Sequence, residues 1–275
     1  MEIMKKYTQN LHTHGTFCDG KDDYESTVKR AMELGFTSIG FSGHSYVFYS
    51  DYAGITMERQ NAYVEEIHRL KQAYGHRIRI YLGLEVDIYA QLDLGIFDYL
   101  IGSMHYMKLG EEYVSFDDGP QEVRTVIDRY FGGDGNAYVK EYFRQLAELP
   151  KHGKFDIIGH FDLISKHVER SELFDYDSDD YLDWATQTAE ALLPHIPYFE
   201  VNTGAMARGY RTTPYPSPRI TRMLKELGFR AVITTDCHDA TKLDWGLAEA
   251  KALLESAGFR EHYVLTDDGF RGVKL

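Results

Sequence analysis

The sequence feature that most constrains the fold is an alternation of short apolar runs with longer amphipathic stretches. The apolar runs are typical of buried strands, and the amphipathic stretches have helical spacing, several of them ending in glycine. The predicted strands are NLHTH and residues 38–42, 78–87, 99–105, 155–160, 198–202 and 230–236. The predicted helices are residues 24–35, 57–75, 136–149, 180–193, 217–228 and 245–258. Seven strands that each lead towards a helix imply parallel βα units, and therefore an α/β sheet or barrel.

Composition is consistent with one α/β domain over residues 1–275, because no linker of low complexity and no internal repeat divides the chain. A hydrophobic content of 43% and a charged content of 27% are typical of a soluble globular protein with a large core. The formal charge of −13 argues against a broad surface for nucleic acid or membranes. Two cysteines imply no disulfide framework, and neither a signal peptide nor a run of transmembrane length is recognisable, so we expect a cytoplasmic protein.

Histidines and carboxylates cluster at the carboxyl ends of the predicted strands. Parallel α/β folds place their active sites at this edge, so we expect these side chains to lie close together. Half of the 12 histidines fall at such ends, and the others fall in helices or connections. In chain order the strand-end residues are His12, His14, Asp19, His44, Glu85, Asp87, His105, His160, Asp162, Asp236 and His238. Each member alone is a weak signal, but the set is informative.

The histidines at the strand ends also have a simpler explanation. His12 and His14 are two residues apart in a predicted strand, so both rings point to one face. That spacing suits chelation, and it also suits two histidines that face solvent. A lone buried histidine is more often a hydrogen-bonded core residue than a ligand, and His44 and His105 could each be one.

The carboxylates of Glu85 and Asp236 are harder to explain without a ligand, because each lies in an apolar run. An isolated charge buried in such a strand is very costly. Zinc, manganese or iron would satisfy these carboxylates and the imidazoles together, since both are ligands these metals take. Cys18 and Cys237 form no cysteine-pair motif, so we expect them to lie near the site without binding a metal.

Six segments resemble the successive motifs of the polymerase and histidinol phosphatase superfamily. They are HTHGTFCDG, GFSGH, GLEVD, GSMH, GHFDLI and TTDCH, and they extend from about Asn10 to His238. The segment NTGAMARGYRTTPYPS (202–217) further resembles the histidinol-phosphatase branch. The sequence departs from the pattern at Gly43, where a carboxylate is common, and at Cys237, where a small residue is usual. The resemblance implies a single distorted (β/α)7 barrel, similar to a TIM barrel, with a metal site at the carboxyl ends of the strands.

The resemblance also implies three divalent metal ions as cofactors, whether zinc, manganese or iron. The ligand sets it implies are His12, His14, Glu85 and Asp236 for the first ion, Glu85, His105 and His160 for the second, and Asp19, His44 and His238 for the third. Positive charge from these ions would admit a small phosphate ester into an acidic protein.

The function implied by the resemblance is hydrolysis of L-histidinol phosphate to L-histidinol and phosphate in histidine biosynthesis. The expected mechanism is attack of a metal-bridging hydroxide on phosphorus, without a covalent enzyme intermediate. Asp162 is the candidate general acid, although a supporting role behind His160 is nearly as well founded. Arg208 is the candidate phosphate clamp, since a guanidinium suits two oxygens at once. A solvated loop arginine is the alternative for Arg208, and Arg211 is its rival.

Two other functions stay open from the sequence alone. One is a phosphoesterase of the same superfamily that acts on nucleotide or oligonucleotide phosphates, although the chain shows no basic groove with interleaved aromatic residues. The other is a metal-binding domain without turnover, which the filled ligand positions disfavour. Residues 107–118 are expected to form a turn-containing excursion that could be part of a lid.

Overall fold

The computed structural model describes residues 8–50, 54–90 and 95–275. Its strands are β1 (Gln9–Asn10), β2 (Ser38–Phe41), β3 (Arg79–Asp87), β4 (Tyr99–Ser103), β5 (Tyr106–Leu109), β6 (Glu112–Ser115), β7 (Ile157–Ile158), β8 (Tyr198–Asn202), β9 (Arg230–Thr234), β10 (Glu261–Thr266) and β11 (Gly269–Lys274). Its α-helices are α1 (Tyr24–Glu33), α2 (Met57–Tyr74), α3 (Pro120–Phe131), α4 (Gly135–Leu146), α5 (Asp179–Leu192), α6 (Gly204–Ala207), α7 (Pro218–Leu227) and α8 (Leu247–Ser256).

One sheet orders its strands β1-β2-β3-β4-β7-β8-β9-β10-β11. Neighbours from β1 to β10 pair in parallel, and β11 returns antiparallel to β10. Strands β2 and β4 are buried along their whole length, as parallel strands covered on both faces should be. The parallel α/β architecture is therefore as predicted.

The sheet closes on itself at a seam that joins the ends of β1 and β9. Thr13 pairs in parallel with Cys237. The backbone N–H of His14 donates to the Cys237 carbonyl at 2.8 Å, and the Cys237 N–H donates to the His12 carbonyl at 3.0 Å. The seam joins β1–β4 and β7–β9 into a curled barrel, which confirms the predicted fold class.

Strand β10 is a parallel strand that the sequence analysis missed. It pairs with β9 at Tyr263 and Val232, and its polar sequence EHYVLT does not read as a buried strand. Further along β10, on the edge that faces β9, the side chain of Gln9 binds the backbone of Leu265. Gln9 Nε2 donates to the carbonyl of Leu265 at 2.9 Å, and Gln9 Oε1 accepts from the Leu265 N–H at 2.8 Å.

The helices begin and end at residues suited to those positions. Asp23 caps α1 by accepting from the Ser26 N–H at 2.8 Å. Helix α7 starts at Pro218, because the first residue of a helix needs no backbone N–H for a hydrogen bond within the helix. Gly228 follows its last residue and has a φ of 97°, a conformation that favours glycine. None of the helices in the described ranges is long and apolar enough to cross a membrane.

The predicted excursion at residues 107–118 contains a β-hairpin, β5–β6, that turns at Gly110 with φ 65°. Met107 and Phe116 are buried in the main core and anchor the hairpin. Helix α3 follows directly, and the sequence analysis did not predict it. The hairpin and the start of α3 bring residues 115–119 to the carboxyl edge of the barrel, beside the predicted site.

Candidate metal centre

Five imidazole rings face the single carboxylate of Glu85, which lies on β3 and is 1% exposed. Glu85 Oε2 lies 2.9 Å from His44 Nδ1, 3.1 Å from His12 Nε2 and 3.6 Å from His14 Nε2. Glu85 Oε1 lies 2.9 Å from His160 Nε2 and 3.3 Å from His105 Nε2. Although burial acts to raise it, the pKa of Glu85 is held well below its usual range by the surrounding histidines. The carboxylate is therefore ionised, as a metal ligand must be.

Two aspartates complete the cluster. The distances from Asp236 Oδ1 are 3.2 Å to His14 Nε2, 3.4 Å to His238 Nδ1 and 3.7 Å to His12 Nε2. The distances from Asp19 are 3.3 Å to His238 Nε2, 3.6 Å to His14 Nδ1 and 3.7 Å to His44 Nε2. All the residues predicted as metal ligands thus meet at one edge of the barrel.

The donor atoms of this cluster fit a metal site. His12 Nε2, His14 Nε2, Asp19 Oδ1 and Glu85 Oε2 are all buried and make no hydrogen bond to any residue that the structure describes. Buried polar atoms normally have partners, so unpaired atoms that converge here fit coordination to a cation. Burial and the neighbouring rings of His238 and His44 lower the pKa of His14 to about 3, which leaves it in the neutral form that binds metals.

Within the described ranges, the ligand atoms form three overlapping groups, each compact enough for one ion. These groups are His14, Asp19, His44 and His238; His12, His14 and Asp236; and His44, Glu85 and His105. They differ from the predicted partition because His14 and His44 each belong to two groups. His160 stays outside all three groups, although its Nε2 lies 2.9 Å from Glu85.

A buried carboxylate behind the cluster, Glu200, was missed by the sequence analysis. Its Oε2 accepts from His12 Nδ1 and from Thr234 Oγ1, both at 2.8 Å. Its Oε1 accepts from the His160 N–H at 2.6 Å and from Asn202 Nδ2 at 2.8 Å. Such a carboxylate fixes the orientation of a ligand ring. The signal was present, because Glu200 lies in the apolar strand YFEVN just as Glu85 lies in its own strand.

An open cavity of about 630 Å³ lies in front of the cluster. Residues from other elements that line it include Tyr106, Asp117, Asp118, Lys166 and Tyr210. Lys166 Nζ donates to Asp117 Oδ1 at 2.7 Å, which ties the end of the hairpin segment to the loop after β7. The wall therefore offers carboxylate and aromatic groups in addition to the cluster.

Of the two candidate arginines, Arg208 lines the cavity and Arg211 does not. Arg208 Nη2 lies 2.9 Å from Asp236 Oδ2, and its Nη1 donates to the Asp236 carbonyl at 3.0 Å. Arg211 is buried, and it donates to the Ser165 carbonyl at 3.2 Å. Its hydrogen bonds hold a loop in place, so only Arg208 can reach a molecule in the cavity.

Asp162 is not among the residues that line the cavity in the described part of the chain. Its side chain is completely buried, and Oδ2 accepts from the Ser217 N–H at 3.1 Å, at the start of α7. Burial raises the pKa of this carboxyl. Of the two roles expected for Asp162, this placement favours the supporting role behind His160.

Fold and site together define an α/β barrel with a cluster of carboxylates and imidazoles that could hold metal ions, at the carboxyl edge of its strands. The model of the PHP domain matches residues 10–204, and the chain belongs to this family.

The chain is 24% identical over 257 residues to the histidinol-phosphatase of Bacillus subtilis, covering 83% of this chain and 92% of that protein. It is 24% identical over 271 residues to the histidinol-phosphatase of Lactococcus lactis, covering 94% of this chain and 93% of that protein. The solved structure of the Lactococcus lactis histidinol phosphate phosphatase, in complex with zinc, L-histidinol and phosphate, is similar in fold. Its TM-score is 0.71 at 20% identity, over 96% of this chain and 98% of that chain.

Proposed function

We propose that this protein is a metal-dependent phosphomonoesterase that hydrolyses L-histidinol phosphate to L-histidinol and phosphate. The observation that carries the proposal is the convergence of five imidazoles on Glu85, with buried ligand atoms left unpaired. The names of the Bacillus subtilis and Lactococcus lactis relatives support this substrate. So do the zinc, L-histidinol and phosphate bound to the Lactococcus lactis enzyme.

The ligands that we propose for three divalent ions, whether zinc, manganese or iron, are His12, His14, Asp19, His44, Glu85, His105, His160, Asp236 and His238. When bound, the ions supply positive charge for the phosphate oxygens and lower the pKa of a water molecule that can attack phosphorus. The shared use of His14 and His44 in the ligand groups supports ions that lie close together.

The protein's own groups bind and orient the substrate beside that centre. Arg208 presents a guanidinium to the cavity, where it can donate two hydrogen bonds to a phosphate group. Asp117 and Asp118 place carboxyl groups in the same wall, and these attract the cationic amine of L-histidinol phosphate. Glu200 holds the ring of His12 from behind, which keeps its free nitrogen directed at the cluster.

Several predictions from the sequence belong to this proposal and await their own tests. They are a single domain over residues 1–275, a role in histidine biosynthesis, a cytoplasmic setting and the lack of a nucleic-acid partner. The continuous sheet from β1 to β11 supports the single domain. The acidic charge of −13 supports a small substrate rather than a nucleic acid.

The test is phosphate release from L-histidinol phosphate by protein loaded with zinc or manganese, with metal content measured on the same sample. Phenyl phosphate, a 5′-mononucleotide and a short oligonucleotide serve as competing substrates. We expect about three ions per chain and the highest kcat/KM for L-histidinol phosphate. Faster cleavage of the nucleotide substrates would replace this proposal with the alternative phosphoesterase. Metal-loaded protein that releases no phosphate from any of them would leave a metal-binding domain without turnover.

A further inference from the structure

Tyr49 connects the cluster of proposed metal ligands to the β5–β6 hairpin. Its hydroxyl donates to Asp87 Oδ1 at 2.5 Å. Its ring stacks on that of Tyr113 in β6, with centroids 4.0 Å apart and an interplanar angle of 4°. Tyr49 is not among the residues that line the cavity in the described part of the chain. It therefore lies behind the residues that border the cavity.

The other oxygen of Asp87 faces His105, one of the proposed ligands. Asp87 Oδ2 accepts from the His105 N–H at 3.0 Å and lies 3.4 Å from its ring Nδ1. The second ring nitrogen, Nε2, lies 3.3 Å from Glu85 Oε1. A carboxylate in this position sets the tautomer and the angle of a ligand ring. The orientation of Asp87 thus decides where His105 directs its free nitrogen.

Among the described residues, Asp87 has few side-chain partners that fix this orientation. It is 5% exposed, and Oδ1 accepts from Tyr49 and, at 3.2 Å, from the Tyr89 backbone N–H. Loss of the phenol hydroxyl would leave Oδ1 with that longer backbone bond. The Asp87 carboxylate would then be held by fewer hydrogen bonds, and it would hold His105 less firmly.

The hairpin in turn holds Tyr49. Tyr113 stacks on its ring from β6, and Tyr106 of β5 contacts it edge-on with centroids 5.1 Å apart. Tyr106 also donates a hydrogen bond to Ser50 at 2.9 Å, next to Tyr49 in the chain. Both strands of the hairpin therefore define the place of one hydroxyl.

We propose that Tyr49 is a positioning residue that couples the β5–β6 hairpin to His105 through Asp87. The proposal rests on the metal centre proposed above. Tyr49 keeps one ligand ring directed at its ion, and displacement of the hairpin loosens that ring. The hairpin therefore does more than border the cavity. Through Tyr49 and Asp87, its aromatic side chains also fix the orientation of one ligand ring of the proposed metal centre.

The test compares Tyr49→Phe, which removes only the hydroxyl, with Tyr89→Phe as the matched control. Tyr89 also contacts Tyr113 edge-on, but its hydroxyl donates to Gln145 instead of Asp87. The readouts are the rate of zinc release from the loaded protein to a chelator and the absorption spectrum of the cobalt-substituted protein. We expect one ion to leave at least about 10-fold faster from Tyr49→Phe, with a changed cobalt spectrum, and Tyr89→Phe to match the parent. Tyr113→Leu should shift both readouts in the same direction by a smaller factor, because it removes the stack and keeps the hydroxyl.

The outcomes separate this proposal from the one it rests on. If the parent protein retains no metal, the proposed centre itself fails. If the parent binds metal and Tyr49→Phe releases it at the parental rate, the positioning role of Tyr49 is overturned while the centre stands. If Tyr49→Phe changes release but Tyr113→Leu does not, the hairpin has no part in the coupling. A lower melting temperature with unchanged release and spectrum would also refute it, since that is the result of a merely structural role.

Discussion

Replacement of Glu85 by glutamine removes one negative charge and nearly keeps the shape of the side chain. The carboxylate is 1% exposed, and its oxygens lie 2.9 to 3.6 Å from imidazole nitrogens that belong to the proposed ligands. Two unit charges about 4 Å apart interact by about 4 kcal/mol at an effective dielectric constant of about 20. A divalent ion beside the carboxylate would lose at least that interaction. Its affinity should therefore fall by about a thousandfold or more.

The assay is metal content after dialysis against a graded series of chelators, followed by phosphate release from L-histidinol phosphate. Glu200→Gln is the matched control, because Glu200 is equally buried but lies behind His12 instead of among the ligands. We expect a smaller loss of metal affinity in the control, about 10–100-fold, as for other residues that support a ligand. If Glu85→Gln keeps its full metal content and its kcat under conditions where the control loses metal, the assignment of Glu85 as the central ligand is refuted.

Three further outcomes follow from the site and its surroundings. Arg208→Ala should raise the KM for the phosphate ester by about 10–100-fold, because a hydrogen bond to a charged group contributes about 1.5–3 kcal/mol; an unchanged KM in steady-state kinetics would count against the clamp. Asp162→Asn should keep kcat within about threefold, since its side chain lies outside the cavity, and a loss of about 100-fold or more would reinstate the general acid. Burial raises the pKa of Cys18 to about 11 and that of Cys237 to about 12, so both stay protonated at neutral pH. Native protein should therefore react with an alkylating reagent far more slowly than unfolded protein, and equal labelling rates would contradict this.

The sequence predicted the barrel and the convergence of its polar residues for one physical reason. Charged and imidazole side chains at the ends of apolar runs have to find partners, and parallel strands bring those ends to one edge. Glu200 satisfies the same criterion and was still missed, because no histidine follows it at the end of β8 to draw attention to the strand.

The position of Asp162 shows a limit of predicting side-chain directions from the alternation along a strand. The prediction assumed that Asp162, two residues beyond His160, would face the same site. Strand β7 ends at Ile158, so both residues lie in irregular backbone, where alternation of side chains no longer holds. The position of the Asp162 side chain depends on a hydrogen bond from the Ser217 N–H. Ser217 lies 55 residues away in the chain, so the local sequence pattern does not reveal this contact.

Of the two departures from the family pattern, the one at Gly43 has a structural explanation. A Cβ atom on Gly43 would lie 2.9 Å from Cys18 Sγ and 2.9 Å from Ile55 Cδ1, so Cys18 and Ile55 occupy the space that a larger residue would need. At Cys237 the backbone pairs with Thr13 at the seam, which does not depend on the side chain, so nothing in the structure explains this departure. Neither departure removes a proposed ligand.

The seam also sets the order in which the parts of the barrel and its site can form during folding. It places His12 and His14 of the first strand against Asp236 and His238, which follow the last strand of the barrel. Beside it, the hydrogen bond from the Thr235 N–H to Asn10 Oδ1 joins residues 225 apart in the chain. Contacts of such long range form late in folding, because their loop-closure entropy has to be overcome first. A nascent chain therefore has no complete site for these ions until its carboxyl-terminal part has been synthesised, and metal capture then favours the closed barrel over every earlier intermediate.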